Sequence, residues 1–450
     1  MYVATRAFYR VQVVGRENLP VNKPVIVAPN HPNAFMDAIL VAVNTKQQLH
    51  FLVRSDVFST PMKRFFLGQL NQHPIYRIQE GADNLHKNEE TFDRCNKLLS
   101  QNKTVLIFPE GICIQERRLR KLKKGLARIV FGAEASMDHK MDLMVVPIGI
   151  NYENPKKFRS RMLLTYGQPI HVSDYIKQYL KEPARTMNEF TRDVEESMSR
   201  LLTIIPSSEN DKLVENIEAV YKTDLAIEKG LDPQNLQHDM KISNDIAAAA
   251  EHFRKNEPAR IERFEEKINT YLRELEKMNL RDHLLKASSI ENMSYGRSFI
   301  EFIGVWLGMP LHFFGLINNY LPWKLAHRIA NNTTKNIEFH SSVNVAAGTF
   351  LMLIWWAMLT LTVALVFRNW YVLGAYIISL PLAAWFNIRF WPFMKKAFGK
   401  WRLFGYVRKE RDTVARLVQT RMEIIDEMEA AREEYRIKVK GSVKAGITLN

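Results

Sequence analysis

Residues 25–40 read VIVAPNHPNAFMDAIL: an apolar run, a polar turn carrying two prolines, then an amphipathic stretch. An uninterrupted apolar run ending in Pro and Asn reads as a buried strand. Pro32 bars His31 from helical geometry, and Pro32 or Asn33 can open a helix running through Met36 and Asp37. His31 is thereby placed in a loop between a strand end and a helix start. The same alternation recurs at LHFLV (49–53), TVLIFP (104–109) and LMVVPIGI (143–150). Short apolar strands alternating with amphipathic segments predict an α/β mixed sheet flanked by helices, with its chemistry in the loops at the strand ends.

MLLTYGQPI (162–170) reads as a closing strand, and Ala184 to Leu202 as a helix packing on the sheet through Met187, Phe190, Val194, Met198 and Leu201. Pro206-Ser-Ser marks a boundary. The following charged helical stretch has one apolar face of Leu213, Ile217, Val220 and Tyr221, and Pro258 opens a second stripe through Ile261, Phe264, Ile268, Tyr271, Leu275 and Met278. The expected form is a helical hairpin packed on the first domain.

The mean hydropathy of −0.22 conceals a concentration of apolar residues between about 299 and 393. Val343 to Phe367 carries no charge, and neither do the 20 residues between Arg368 and Arg389. Each can cross a hydrocarbon core of about 30 Å, with Trp355, Trp356, Trp370, Tyr371 and Trp391 near their ends. A two-residue link, Arg368-Asn369, makes them a hairpin. Lys324, Arg328 and Lys335 precede it and Lys395, Lys396, Lys400, Arg402, Arg408 and Lys409 follow it, which puts both outer ends on the cytoplasmic side. Phe302 to Trp323 is also uncharged but holds Pro310, His312 and Pro322, and is read as interfacial or re-entrant. The expected divisions are 1–205, 206–297, 298–393 (302–323, then a hairpin of 343–367 and 370–388) and 394–450, the last a charged amphipathic helix and tail.

The chain of 450 residues has 63 Lys and Arg against 48 Asp and Glu, a formal charge of +15 that attracts anionic partners without choosing among them. Cys95 and Cys113 cannot build a disulfide framework, and no Cys/His spacing resembles a zinc site. The N-terminus lacks the pattern of a secretory signal, so the first domain reads as not exported.

Candidate chemistry lies at three strand ends. A carboxylate can hold an imidazole tautomer so that the other ring nitrogen takes a proton, which pairs His31 with Asp37, although six residues of separation alone do not require them to meet. Phe108-Pro109-Glu110-Gly111 is a tight turn presenting one carboxylate, which could equally be solvated. Arg77 can fork onto a phosphate. Arg117 to Arg128 holds seven basic residues and no acid, and the spacing of Leu119, Leu122, Leu126 and Ile129 predicts a basic amphipathic helix facing anionic lipid, solvent or nucleic acid.

Taken in order, Asn30-His31…Asp37, Ile75-Tyr76-Arg77, Phe108-Pro109-Glu110-Gly111 and Val146-Pro147-Ile148 resemble the four blocks of the glycerol-3-phosphate and 1-acylglycerol-3-phosphate acyltransferase family. The resemblance covers roughly residues 1–205, and the helical insert with a membrane hairpin is similar to its longer members. It implies a seven-stranded or similar α/β core acting at a membrane surface. It also implies transfer of a fatty acyl chain from acyl-CoA or acyl carrier protein to a phosphorylated glycerol acceptor, in phospholipid synthesis. In that scheme His31 deprotonates the acceptor, Asp37 orients His31, and Arg77, Phe108, Pro109, Glu110 and Gly111 bind the acceptor. Glu110 contacts the glycerol hydroxyls or holds its loop, Lys123 and Lys124 assist at the phosphate, and Pro147 lies on the acyl-donor side. No metal or organic cofactor is implied, the partners are membrane lipids and the two substrates, and nucleic acid is not expected. The chain departs from the family in having five residues rather than four between His31 and Asp37, and in having Cys113 where a small polar residue is usual. The rival readings are an acyltransferase for another lysolipid, in remodelling or on a lyso-aminolipid, and a non-catalytic tether binding acidic lipid.

Overall fold

The strand expected at 25–29 forms as Val25–Pro29, and all five of its residues are buried. The computed structural model describes residues 1–76, 88–286 and 295–440. These fall into two compact units, one of residues 1–204 with 329–346 and one of 205–328 with 347–450.

The first unit is built on eight strands: β1 (Tyr9–Val14), β2 (Val25–Pro29), β3 (Leu49–Arg54), β4 (Gln72–Ile75), β5 (Thr104–Leu106), β6 (Met144–Tyr152), β7 (Ser160–Tyr166) and β8 (Ile170–His171). The order is β1-β7-β6-β2-β5-β3-β4, with β8 on β6. Every pairing is parallel except those of β6 with β7 and β8. The helices are α1 (Tyr2–Phe8), α2 (Ala34–Asn44), α3 (Pro61–Gln69), α4 (Asn88–Ser100), α5 (Gly125–Ala135), α6 (Ser173–Tyr179) and α7 (Pro183–Ser199). Alternation along β2 sends Ile26 and Ala28 into a core with residues of α4, α5 and α7, and Val25 and Val27 into a second core with α1 and α2. Both faces are covered, which is why the strand reads as a continuous apolar run. Each fully buried Val or Ile there contributes about 1.5–3 kcal/mol.

Two expectations are corrected in this unit. The closing strand at 162–170 is two strands: β7 inserts between β1 and β6, and the chain turns at Gly167 before β8. Gly167 donates its N–H to Pro147 O at 2.8 Å, and a Cβ there would lie 2.9 Å from Pro147 Cγ, so only glycine allows this approach. The basic stretch is not a helix from Arg117 onward, since α5 begins at Gly125. Its backbone donors are used elsewhere: Arg120 N–H goes to Glu110, Leu122 N–H to Glu195 and Lys123 N–H to Pro109 O. Leu119 and Leu122 still pack into the core beside α5, so the apolar spacing served a segment without regular secondary structure.

In the second unit the insert is three helices rather than a hairpin, α8 (Asp211–Glu228), α9 (Leu236–Asn256) and α10 (Pro258–Lys277). Three long helices follow, α11 (Tyr295–Thr333), α12 (His340–Phe367) and α13 (Trp370–Lys409), and then α14 (Arg411–Tyr435). The apolar stripe of α14, Val414, Leu417, Ile424 and Met428, completes one core with α8, α9 and α10. Ile242, Ile246, Ala247, Ala250 and Phe253 of α9 supply the face that the two-stripe reading lacked. Arg421 is buried in this bundle, paired with Asp282 at 2.9 Å and Asp224 at 2.6 Å. Three segments, Ser298–Thr333, Ile337–Phe367 and Trp370–Lys409, are long and apolar enough to cross a membrane.

Candidate active site

The loop from β2 to α2 places His31 above the sheet, with its Nδ1 3.0 Å from Asp37 Oδ2. Five residues separate them, and among these Ala34, where α2 begins, takes φ +41°, in the left-handed region. That turn folds the chain back so that Asn33 N–H donates to the same Asp37 oxygen at 2.7 Å. The other oxygen, Oδ1, accepts from the Tyr152 hydroxyl at 2.7 Å. Asp37 is fully buried with three donors on it, which answers the cost of burying a carboxylate. The His31 ring is partly exposed, and with Nδ1 donating to Asp37 its Nε2 is the nitrogen left to accept a proton.

Phe108 and Glu110, at the end of β5, come to the same place. The Phe108 ring stacks on His31, with centroids 3.7 Å apart and planes 15° from parallel. Glu110 is buried and turned inward: Oε1 accepts from His31 N–H at 2.9 Å and Oε2 from Arg120 N–H at 3.1 Å. Burial pushes its carboxyl above the usual range, opposed by the Arg120 and His31 amides. These two bonds tie the His31 loop to the basic segment. Gly111 has φ +68°, which suits glycine, and Lys123 Cγ lies 3.3 Å from where a Cβ would stand.

Pro109 O accepts from Lys123 N–H at 2.8 Å, fastening the basic segment to the turn, while the side chains of Lys123 and Lys124 are exposed. Pro147 pairs with Ala28, one strand over from the His31 loop. It falls between the β6 residues paired with β8 and those paired with β7, so its missing N–H breaks no ladder. Arg77 lies outside the described residues; its neighbour Tyr76 is held by Asn88 through two 2.8 Å bonds to the backbone.

Cys113 accepts from Ala34 N–H through Sγ at 3.1 Å. Burial, and then the Asp37 charge, push its thiol far up, which favours the protonated, less nucleophilic form. Donor atoms of His31, Asp37 and Cys113 lie within 4.8 Å of one another, the group among the described residues that could hold a metal ion. A metal on His31 Nδ1 would displace the proton that ties it to Asp37.

Tyr152 and Asn33 were not visible as site residues. Tyr152 is 115 positions from Asp37, and its place follows only from the pairing of β6 with β2.

Residues 10–151, which contain this arrangement apart from Tyr152, match the family model described as Acyltransferase. The chain carries an acyltransferase domain. It is 26% identical over 264 residues to glycerol-3-phosphate O-acyltransferase 1 of Saccharomyces cerevisiae, covering 57% of this chain and 33% of that one. It is 24% identical over 201 residues to the 1-acyl-sn-glycerol-3-phosphate acyltransferase of Bacillus subtilis, covering 42% of this chain and 91% of that one. Among solved structures it is similar to the 1-acyl-sn-glycerophosphate acyltransferase of Thermotoga maritima, at 20% identity and a TM-score of 0.30 over 43% of this chain and 74% of that one. The chain spans about a third of the length of the yeast relatives that it matches. The acyltransferase domain thus holds three of the four sequence blocks within its described residues, with His31, Asp37, Phe108 and Glu110 gathered at the strand ends.

Proposed function

We propose that the chain transfers a fatty acyl group from a thioester, acyl-CoA or acyl carrier protein, to a hydroxyl of glycerol-3-phosphate or 1-acylglycerol-3-phosphate. The observation that carries this reading is the His31–Asp37 hydrogen bond inside an acyltransferase domain. His31 Nε2 takes the proton of the acceptor hydroxyl as its oxygen attacks the thioester carbonyl. A C–O bond forms, the tetrahedral intermediate collapses, the C–S bond breaks, and the imidazolium returns its proton to the leaving thiolate. Asp37 stabilises the transient imidazolium, and Phe108 fixes the ring plane. A thioester is already activated, so the scheme uses no metal and no organic cofactor. Arg77, Lys123 and Lys124 are the proposed phosphate ligands, and the acyl donor enters on the Pro147 side.

The proposed location is a membrane, with the acyltransferase domain on the cytoplasmic face and residues 302–323 re-entrant. Two observations support the re-entrant path. Along α11, Glu301 meets Lys400, His312 meets Asn387 and Asn318 meets Tyr376, so its partners on α13 approach the turn at Arg368. Beyond that, Asn319 meets Trp356, and Ala326 lies 3.6 Å from a Cβ at Gly348, so its partners on α12 recede from the same turn. Trp356 and Ala364 of α12 and Ile377 and Pro381 of α13 line one groove. Independently, residues 329–346 belong to the first unit, and among the described residues none between 205 and 286 is in a helix apolar enough to cross. The proposed path therefore returns α11 to the face of the membrane from which it enters.

The test is an assay of membranes with labelled acyl-CoA, offering glycerol-3-phosphate and 1-acylglycerol-3-phosphate in parallel. Labelled ester from either acceptor is expected, and the preferred one names the step. Absence of product from both, with carrier-protein donors also tried, contradicts the proposal.

A further inference from the structure

We propose that residues 337–345, the short turn before α12 and the start of α12 itself, far outside the matched domain, are a strap that positions the catalytic loop, with Ser342 and Ser341 as its positioning residues. The inference rests on the acyl-transfer reading for its activity readout. Four contacts, all inside the first unit, define the strap. Ser342 Oγ accepts from Met36 N–H at 3.0 Å, in the first turn of α2 and next to Asp37. Ser341 Oγ donates to Pro155 O at 2.6 Å. Phe339 packs edge-on to Phe35, with centroids 5.5 Å apart. Val345 enters the core that holds Met36 and Leu40. Ser341 and Ser342 are both buried, at 1% and 7% exposure, so neither hydroxyl can be replaced by bulk water at no cost.

The catalytic loop needs outside support for a reason visible in its own residues. Asn33, at the N-cap of α2, gives the helix no side-chain cap, and its Nδ2 donates to the Tyr9 hydroxyl at 3.1 Å. Ala34 is held in the left-handed region, a costly conformation for a residue other than glycine. The first turn of α2 is therefore held by side chains from elsewhere: Cys113 takes Ala34 N–H, and Ser342 shares Met36 N–H with the Asn33 carbonyl. The second serine reaches the dyad through a relay. Pro155 O accepts from both Ser341 and Tyr9, the Tyr9 oxygen accepts from Asn33 Nδ2, and Asn33 N–H holds Asp37. Because α12 continues from the strap into an apolar segment, the helix that would enter the bilayer also fixes the turn bearing Asp37.

The experiment compares full-length wild type with Ser342→Ala, with the Ser341→Ala/Ser342→Ala pair, and with Thr362→Ala as a control on α12 away from the strap. Each is purified in detergent and checked for a monodisperse, helical product. Two readouts are taken: kcat and KM for the acceptor, and amide hydrogen exchange at residues 33–38. Ser342→Ala is expected to lower kcat about tenfold with KM within about twofold, as displacement of a catalytic group does. It should also speed exchange at 33–38, the pair should do more, and Thr362→Ala should do neither. Unchanged kcat overturns the proposal, and so does a fall in kcat without faster exchange at 33–38. If wild type transfers acyl groups to no acceptor, the acyl-transfer reading fails, and the exchange comparison alone decides whether the strap holds the loop.

Discussion

The Tyr152 hydroxyl lies 2.7 Å from Asp37 Oδ1, on the opposite side of the carboxylate from His31. It is a neutral donor, since burial and then the Asp37 charge push its ionisation well up. Tyr152→Phe removes that donor while keeping the ring that packs on Tyr9. A hydrogen bond to a charged group is worth about 1.5–3 kcal/mol, so kcat should fall about tenfold or more with little change in KM. Steady-state kinetics of the purified variant check this.

Glu110 gives a pH signature. Its folded carboxyl sits above the ordinary 4.5, so the folded state holds its proton more tightly than the unfolded chain does. Stability from this group is greatest below the ordinary value and declines as pH rises through the folded one. Glu110→Gln cannot titrate, so its melting temperature relative to wild type should rise between pH 4 and neutrality. Thermal unfolding across that range measures it, and a constant difference contradicts the assignment.

His50 and His73 face each other across β3 and β4 with ring nitrogens 3.2 Å apart, both buried. Burial, and then the Arg94 charge, lower His73 from the ordinary 6.5 to about 4, and burial followed by Lys103 and Arg94 lowers His50. The unfolded chain takes up protons first as pH falls, so stability is full above about 6.5 and is lost toward 4. A His50→Asn/His73→Asn variant should lose most of the drop in melting temperature that wild type shows between pH 7 and pH 5.

Arg421 is the one cation bridging Asp224 and Asp282 among the described contacts of the second unit's core, and Tyr271 also donates to Asp282 at 2.8 Å. Removing Arg421 leaves the buried Asp282 without its cation, while Asp224 keeps Lys286. Arg421→Met should cost about 3–5 kcal/mol, read as a lower denaturant midpoint, whereas an exposed-pair variant such as Lys212→Ala should cost under about 1 kcal/mol.

The re-entrant path is tested by single cysteines in a Cys95→Ser/Cys113→Ser background. A membrane-impermeant thiol reagent should label Phe299→Cys and Lys335→Cys from the same face and Arg368→Cys from the opposite one. Labelling of the first two from opposite faces would show that α11 crosses.

Much of the fold was legible because β2 and β6 are buried on both faces and leave continuous apolar runs, and because Pro32 and Gly111 punctuate the loops beside them. The pairing of His31 with Asp37 was not required by their spacing and was expected from the resemblance of the ordered blocks; the structure brings the two side chains within hydrogen-bond distance. Tyr152, Ser341 and Ser342 were not legible, since they reach the site only through sheet pairing and a segment some 300 residues later, which no local pattern encodes. The basic stretch misled because leucines at helical spacing can also line a segment without regular secondary structure whose amides are taken by Glu110 and Glu195. Helix α9 was missed because its face depends on Ala247 and Ala250, small residues that make a faint stripe.

The most direct measurement is the acyl-transfer rate of His31→Ala beside wild type, both membrane-bound and folded, with labelled acyl-CoA and the preferred acceptor. A base placed by Asp37 predicts a loss of at least about a hundredfold in kcat. A variant that keeps its rate while lacking the imidazole would contradict the central assignment.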